Sequence, residues 1–300
     1  MLVGVVAGAA LVGAAAWWQR RRARQQVAHL ARALAAISPA ALGTRVPVPA
    51  HAAEAAALAR SANQLLERLQ TGSEQQRRFV TEAWHKLRTP LAIIYGQVDV
   101  LLLRPRSVAE HEQAWHSVRE DMARLNRLSN DLQLLAQLNA DHYQLSRQAV
   151  DLQEVLFQAC HALQAQQPTY RVQVLLGPEL EELDSPLTVL GDADLLTQAC
   201  LQLLENGCKF SANKQVQARL SAEGPWAQLR VADQGRGITP ADAPHVFEPF
   251  FRGENARHEP GNGLGLALAR RVAHLHSGEV AVASTSPTGT CVLLSLPLRP

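Results

Sequence analysis

One histidine in an amphipathic helical pattern and three polar, glycine-containing blocks far downstream are the residues here that could do chemistry. His85 lies within F-V-T-E-A-W-H-K-L-R-T-P-L (79–91). The downstream blocks are L-L-E-N-G-C-K-F-S (203–211), D-Q-G-R-G (233–237) and G-N-G-L-G-L (261–266). An imidazole is a nucleophile, and glycine loops beside a helix bind phosphate. These residue types, in this order, indicate phosphoryl transfer from a nucleotide to the histidine.

The first downstream block supplies two polar side chains on one helix face. Asn206 and Lys209 are three residues apart, a spacing that makes side chains neighbours on a helix. The amide oxygen of Asn206 suits Mg²⁺, which prefers oxygen ligands, and Lys209 is a point charge for phosphate. Either residue taken singly could equally belong to a solvated helix face.

The other two blocks are spaced for a nucleotide. Asp233 ends a strand pattern, where its carboxylate could accept a hydrogen bond from an adenine amino group, and Gly235 and Gly237 would let the backbone approach the ring. Alone, D-x-G-x-G also suits an ordinary turn. The third block opens a helix whose backbone N–H groups would face phosphate, and it does not follow a βαβ strand, which disfavours a dinucleotide fold. Its glycines are Gly261, Gly263 and Gly265.

A seven-residue register surrounds His85 and predicts a helix with a coiled-coil seam. The seam residues are Val80, Trp84, Leu87, Leu91, Ile94, Val98 and Leu101. His85 follows a seam residue by one position, so it lies about 100° round the helix and can face solvent. Pro90 permits a bend, because proline removes a backbone hydrogen bond.

A second amphipathic helix is predicted from about Val108 to Asn139. Two such helices form a hairpin with a wide apolar stripe and little to cover it. Two hairpins pairing as a four-helix bundle would bury both stripes, so we expect a homodimer. The residues predicted to face inward are Val118, Met122, Leu125, Leu132 and Leu135.

The last 150 residues change character. Helical patterns at about 151–166 and 192–210 are followed by alternating strands, which predicts an α/β sandwich. Two hairpins are expected, Gln215–Leu220 with Ala227–Ala232 and Val280–Ser284 with Cys291–Leu296.

The first eighteen residues predict a membrane anchor. Leu2 to Trp18 is an uncharged run of 17 residues, followed at once by an arginine cluster, which places the rest of the chain in the cytoplasm. A buried core helix is the alternative, which the arginines disfavour. Such a span leaves almost nothing outside the membrane, so either the protein lacks an external sensor or its natural chain begins further upstream.

The net charge argues against a nucleic-acid-binding surface, and the cysteine spacing argues against a zinc site. A net charge of +2 is too small to indicate a nucleic-acid partner. The cysteines show neither a C-x-x-C pair nor zinc-type spacing, so we expect buried, reduced thiols in the cytoplasm. They are Cys160, Cys200, Cys208 and Cys291.

Taken together, the blocks resemble those of a bacterial two-component sensor histidine kinase, over roughly residues 20–300. R-L-N-R-L-S-N-D-L-Q-L-L-A (124–136) is similar to the second dimerisation helix of that family, and F-E-P-F-F-R-G (247–253) to the phenylalanine box of its mobile lid. E-A-A-A-L-A-R-S-A-N-Q-L-L (54–66) resembles the second helix of a HAMP linker. The proline usual in the first HAMP helix is missing from H-L-A-R-A-L (29–34), and a plain amphipathic hairpin is the alternative.

The resemblance implies a multidomain protein. We expect a transmembrane helix at 1–18, an all-α HAMP-like linker at 19–71 and a dimeric four-helix-bundle phosphotransfer domain at 72–140. An α/β-sandwich ATP-binding domain of the Bergerat type, shared with gyrase B, Hsp90 and MutL, would follow at 150–300.

The resemblance also implies an activity and its partners. ATP and Mg²⁺ would bind the C-terminal domain, His85 would take the γ-phosphoryl group, and an aspartate of a response regulator would receive it. The protein would be a homodimer in the bacterial inner membrane, with most of the chain cytoplasmic. A non-catalytic ATP-binding scaffold of the same fold is the alternative.

One position departs from the family pattern. The residue after the histidine is usually an acid that helps remove the imidazole proton, but here it is Lys86, a cation that cannot act as a base at neutral pH. Glu82, three residues before His85, is a candidate substitute, although it could equally be a solvated surface acid. Thr89 matches the family position used in dephosphorylating the regulator, an activity that we expect Lys86 to weaken.

Overall fold

The computed structural model describes residues 17, 21, 25, 28, 31, 32, 34, 35, 41–49, 53–103, 107–140, 143–178, 187–256 and 259–299. The predicted span at 1–18 lies, apart from Trp17, outside these residues. Across the residues that are described, no helix combines the length and the apolar character needed to cross a bilayer. The chain divides into two compact units, residues 1–81 and 82–300, and each is described by itself.

In the first unit, a non-helical link packs on the helix that follows it. As predicted from its glycine and prolines, 41–49 is not a continuous helix. The N–H of Val46 donates to Oδ1 of Asn63 at 2.8 Å, and Nδ2 of Asn63 donates back to the Val46 carbonyl at 2.9 Å. This pairing satisfies backbone groups that the link cannot satisfy itself. The buried residues of this small core are Val46, Ala59 and Leu66, with Leu34 and Leu42 packed against them.

The helix of this unit, α1 (Ala53–Leu102), runs on without a break. The boundary predicted between residues 71 and 72 therefore falls inside a helix. Gly72 is the residue there that disfavours helix, and one glycine costs about 1 kcal/mol, too little to end a helix of this length. On this helix, three leucines spaced seven and four residues apart are largely exposed in the single chain: Leu58 at 49%, Leu65 at 58% and Leu69 at 50%.

The second unit begins with the end of α1 and with α2 (Val108–Leu138), which matches the predicted helix within one residue. A capping box starts α2: Ser107 Oγ accepts from the N–H of Glu110, whose carboxylate accepts from the N–H of Ser107. The two helices are joined by Gln97 Nε2, which donates to Asp121 Oδ2 at 2.9 Å and Ser117 Oγ at 3.3 Å.

The inward face of these helices was predicted only in part. Val118, Leu132 and Leu135 are buried as expected, but Met122 is 45% exposed and Leu125 is half-buried. The buried residues Leu128 and Leu138 were not predicted. They lie nearer the C-terminal end of α2, so the buried face is set there by the domain that follows rather than by α1 alone.

The remaining elements form an α/β sandwich, as predicted. The helices are α3 (Leu152–Gln166), α4 (Ala193–Phe210) and α5 (Gly265–Leu275), with a short 3₁₀ helix at Glu254–Ala256. The strands are β1 (Gln148–Asp151), β2 (Arg171–Leu176), β3 (Thr188–Gly191), β4 (Gln215–Glu223), β5 (Trp226–Asp233), β6 (Glu279–Ser286) and β7 (Gly289–Pro297).

The main sheet has the strand order β2-β4-β5-β7-β6, while β1 and β3 pair separately. Only β2 and β4 are parallel in the main sheet. Both predicted hairpins are confirmed, since Glu223 pairs with Trp226 and Ser286 with Gly289 at their turns. Helix α4 packs between α3 and α5 and against β4 and β5, which places the end of α4 beside the end of β5.

The cysteines are free thiols, as predicted, but only Cys200 and Cys208 are buried. Cys160 and Cys291 are half-buried, which corrects the expectation that all four lie inside. Burial raises the pKa of Cys200 to about 12, so this thiol stays protonated at neutral pH.

Candidate functional site

His85 lies on the exposed surface of α1, as its position beside the seam predicted. Glu82 is exposed one turn earlier, and within the described part of the chain the two side chains form no hydrogen bond or ion pair with each other. Lys86 is half-buried. The structure thus leaves the imidazole accessible and Glu82 within one helical turn of it.

Thr89 lies one turn after His85 and is tied to its backbone. Its hydroxyl Oγ1 donates to the His85 carbonyl at 3.3 Å. Helix α1 continues through Pro90, which has no N–H for the Lys86 carbonyl, so the helix is locally weaker just after His85. A bend here would move the imidazole relative to the rest of the helix.

Asp233 ends β5 with a carboxylate held by the protein backbone. Oδ1 accepts from the N–H of Gly235 at 2.8 Å and from the N–H of Thr290 at 3.1 Å. Burial raises the pKa of Asp233, and the two backbone hydrogen bonds offset part of that rise. Both of these donors bind Oδ1, so Oδ2 keeps its capacity to accept a further hydrogen bond. The contribution of Thr290 was missed, because it comes from β7, far along the chain.

Gly235 and Gly237 are required by neighbouring backbone. A Cβ on Gly235 would meet the Phe210 carbonyl oxygen at 2.5 Å, and one on Gly237 would meet the Ser286 carbonyl oxygen at 2.0 Å. Gly237 also has φ +71°, a conformation that favours glycine. These glycines let the loop after β5 pack on the end of α4 and on β6, a reason that their spacing alone did not reveal.

Helix α4 presents one face to the glycine block. A Cβ on Gly265 would meet Oε1 of Gln202 at 2.4 Å, and one on Gly261 would meet Nζ of Lys209 at 2.4 Å. Asn206 lies between Gln202 and Lys209 on the same helix face. The tertiary fold therefore brings together the two blocks that the sequence predicted to act on phosphate and metal, and it adds Gln202 to them.

The glycine block leads into α5 with its N-terminal N–H groups available. The N-cap residue is Leu264, whose side chain has no acceptor, so it cannot cap the helix as serine or aspartate would. Gly263 has φ +73°, and its carbonyl accepts from the N–H of Phe250 at 2.8 Å. An uncapped N-terminus next to a lysine suits an anionic group such as phosphate.

The lysine is in a partly apolar, cationic setting. Burial lowers the pKa of Lys209, nearby Arg252 lowers it further, and Glu205 and Glu259 raise it in part. Its Nζ lies 4.8 Å from the centroid of the Phe210 ring. Lys209 and Arg252 repel each other, and a bound polyanion would offset this repulsion.

The segment that matches the phenylalanine box connects the loop after β5 to α5. The guanidinium of Arg252 donates to the carbonyls of Ala256 and Glu259. Arg270 on α5 lies 5.5 Å from the centroid of the Phe247 ring, and Phe250 has φ +67°, which is strained for a residue with a side chain. These contacts hold the segment to the stretch that follows it and to α5.

Across the described residues, no group of three or more His, Cys, Asp and Glu side chains could hold a metal ion by itself. Mg²⁺ is ordinarily held by one or two protein oxygens together with nucleotide phosphates and water. The amide of Asn206 fits such a site, in which the phosphates would supply most of the negative charge.

Two parts of the chain match family models. Residues 191–300 match the histidine kinase-, DNA gyrase B- and HSP90-like ATPase, and residues 75–141 match the His kinase A phospho-acceptor domain. All the nucleotide-block residues lie within the first match, and His85, Glu82 and Thr89 lie within the second.

A curated relative and two solved structures are similar over most of the chain. The histidine-protein kinase/phosphatase MprB of Mycobacterium ulcerans is 33% identical over 266 residues, which is 85% of this chain and 50% of MprB. The chain thus spans about half the length of the curated MprB proteins that it matches. Full-length ShkA in complex with AMPPNP is 26% identical, with a TM-score of 0.53 over 74% of this chain and 46% of ShkA.

The histidine kinase ThkA, solved with the response regulator TrrA, has a TM-score of 0.58 over 78% of this chain and 64% of ThkA, at 16% identity, and supports the fold alone. The two family matches occur in the order that the motifs predicted, and they contain the exposed His85 and the face of α4 that meets the glycine block. The chain therefore belongs to the two-component sensor histidine kinases.

Proposed function

We propose that this protein phosphorylates His85 with ATP and passes the phosphoryl group to an aspartate of a response regulator. The observation that carries the proposal is the convergence of the Gln202–Asn206–Lys209 face of α4 on the glycine block and the uncapped start of α5. Family membership and an exposed His85 support it.

ATP would be held at both of its ends. Oδ2 of Asp233 accepts from the adenine amino group, while the α5 N-terminus and Lys209 bind phosphate oxygens. Asn206 coordinates Mg²⁺, which supplies charge neutralisation on the phosphates. The glycines let these loops pack closely on α4 and β6 beside the proposed nucleotide site.

At His85, an imidazole nitrogen attacks the γ-phosphorus. A P–N bond forms, the bond from the γ-phosphorus to the β,γ-bridging oxygen breaks, and ADP leaves. The imidazole proton goes to Glu82, one turn away, rather than to residue 86, because Lys86 is already a cation. The phosphoryl group then moves from nitrogen to the carboxylate of the regulator.

The test uses the cytoplasmic chain and radiolabelled γ-phosphate. We expect an acid-labile, base-stable label that is lost in His85→Gln and abolished by Asp233→Ala, with transfer to an added response regulator. Nucleotide binding without label would instead support the non-catalytic scaffold, which Lys86 alone favours.

Assembly and location belong to the same proposal. Val80, Trp84 and Leu91 are 61%, 67% and 45% exposed on α1, an apolar surface that a second copy would cover as a four-helix bundle. The uncharged run at 2–18 would anchor the chain in the inner membrane, with residues 19–71 as a HAMP-like linker. Fractionation of cells carrying the full chain and a variant lacking residues 1–18 tests the anchor: the full chain should sediment with membranes.

A further inference from the structure

Helix α5 reaches beyond the nucleotide site to the end of α2. Nε and Nη2 of Arg271 donate to the Leu138 carbonyl at 2.9 Å and 2.6 Å. Leu138 is the last residue of α2, and the final carbonyls of a helix lack intrahelical donors and carry the negative end of its dipole. A two-pronged guanidinium is therefore well suited to this position. Leu135 and Leu138 are themselves only 2% and 0% exposed.

A repulsive pair lies in the same unit. The pKa of Asp131 on α2 is raised to about 6, mainly by burial and then by the charge on Glu205, while Arg127 lowers it in part. Glu205 directly precedes Asn206 on α4. Both carboxylates are half-buried, so the repulsion between their charges is only partly screened by water. The attraction at Arg271 therefore has to outweigh this repulsion.

The contacts of Gln97 show how far along the helical hairpin the Arg271–Leu138 contact lies from His85. Its side chain bonds Ser117 and Asp121 on α2, so Gln97 is level with about residue 119. Two antiparallel helices rise by the same distance per residue, in opposite directions. His85 lies twelve residues before Gln97, so it is level with the residue twelve positions after 119, which is Asp131. Leu138 is seven residues further, or about 10 Å along α2.

We propose that Arg271 is a positioning residue that docks the ATP-binding domain on the end of α2 and so sets how the nucleotide site approaches His85. The inference rests on the proposed kinase function. Because α5 begins at Gly265, the last glycine of the block, and carries Arg271 six residues later, the contact with Leu138 fixes the helix whose start would bind the phosphates.

The test compares Arg271→Ala, Arg271→Lys and Arg219→Ala, an exposed arginine on β4 that serves as the control. At saturating ATP we expect Arg271→Ala to autophosphorylate roughly ten-fold more slowly, with unchanged affinity for an ATP analogue. The rate of Arg271→Lys should lie between those of Arg271→Ala and the wild type, since lysine keeps the positive charge but lacks the planar guanidinium. Arg219→Ala should equal the wild type.

Two further measurements separate docking from folding. Proteolysis between α2 and β1 should be faster in Arg271→Ala at an unchanged melting temperature of the ATP-binding domain. Asp131→Asn, which removes the repulsion, should autophosphorylate at least as fast as the wild type, whereas Glu112→Gln, an exposed acid on α2, should have no effect.

The outcomes are distinguishable. An unchanged or faster rate in Arg271→Ala overturns the inference while leaving the kinase function intact, and so does a loss of nucleotide affinity equal to the loss of rate. A wild-type chain that binds the ATP analogue but takes no label overturns the kinase function, and with it the inference.

Discussion

At the scale of single residues, the unusual feature is the cation that follows His85, the proposed phosphoacceptor. Lys86 occupies the place of the acid that relatives of this family use, and Glu82 is the exposed carboxylate one turn before His85. A base on the preceding turn can reach the same imidazole, because residues three apart are neighbours on a helix.

We predict that Glu82→Gln slows autophosphorylation about 10²-fold or more, the usual size of a general-base effect. The rate of label incorporation at saturating ATP measures it. Glu67→Gln, an exposed acid further back on α1, is the matched control and should behave as the wild type. Equal rates for the two variants would show that Glu82 is a solvated surface acid.

Lys86 should also limit dephosphorylation of the regulator. We predict that Lys86→Glu raises the rate at which phosphorylated regulator loses its label, because a carboxylate can orient the attacking water and an ammonium cannot. Adding Thr89→Ala to Lys86→Glu should remove the gain. If Lys86→Glu does not raise the dephosphorylation rate, the absence of an acid at position 86 does not limit this activity.

At the scale of elements, the site depends on how closely α4 approaches the start of α5. Gly265 leaves room for the Gln202 side chain, and a methyl group there would lie 2.4 Å from its Oε1. We predict that Gly265→Ala weakens binding of an ATP analogue by roughly ten-fold, measured by calorimetry. Adding Gln202→Ala to Gly265→Ala should restore part of the affinity for the ATP analogue. The effects of the two substitutions would then not be additive, as they would be for independent sites.

His276 joins the far ends of the same two helices. Its Nε2 accepts from the N–H of Asp192 at 3.0 Å and its Nδ1 donates to the Val272 carbonyl at 2.8 Å. Gly191 makes this possible, because a Cβ there would lie 2.1 Å from the ring. Only a neutral imidazole can donate at one nitrogen and accept at the other. Burial lowers the pKa of His276, Arg147 lowers it further, and the Val272 carbonyl and Asp192 raise it in part.

The folded protein therefore binds this proton less readily than the unfolded chain does. The contribution of His276 to stability is complete above the unfolded pKa of about 6.5 and is lost as pH falls below it, with a slope of up to about 1.4 kcal/mol per pH unit. We predict that His276→Gln flattens this part of the stability–pH curve measured by urea unfolding, whereas His274→Gln, on an exposed residue, leaves it unchanged. Parallel curves for wild type and His276→Gln would contradict the prediction.

At the scale of the whole molecule, the exposed apolar surface of α1 needs a partner. Trp84 is 67% exposed in the single chain and lies in the predicted seam. We predict that Trp84→Glu converts the dimer to monomer in sedimentation experiments, because a charge would have to be buried in the bundle. Phe157→Glu, at an exposed phenylalanine on α3, should leave the dimer intact. A dimer that persists in Trp84→Glu would place the interface elsewhere.

The sequence by itself determined the order of the motifs, the exposed histidine, both hairpins and the ends of α2 within one residue. These features follow from signals that act over a few residues, namely apolar periodicity, capping and turn residues. The same local signals placed Met122 and Leu125 inside, because periodicity reports that a face is apolar but not what covers it.

Only the tertiary structure decided which side chains meet across long stretches of chain. Thr290 reaches Asp233 over 57 residues, His276 reaches Asp192 over 84, and Arg271 reaches Leu138 over 133. Such contacts depend on how whole faces of helices and strands pack, and no local pattern encodes that packing. The glycines illustrate this difference. Their spacing predicted a phosphate loop, but only the fold shows that Gly261 faces Lys209 and that Gly265 faces Gln202.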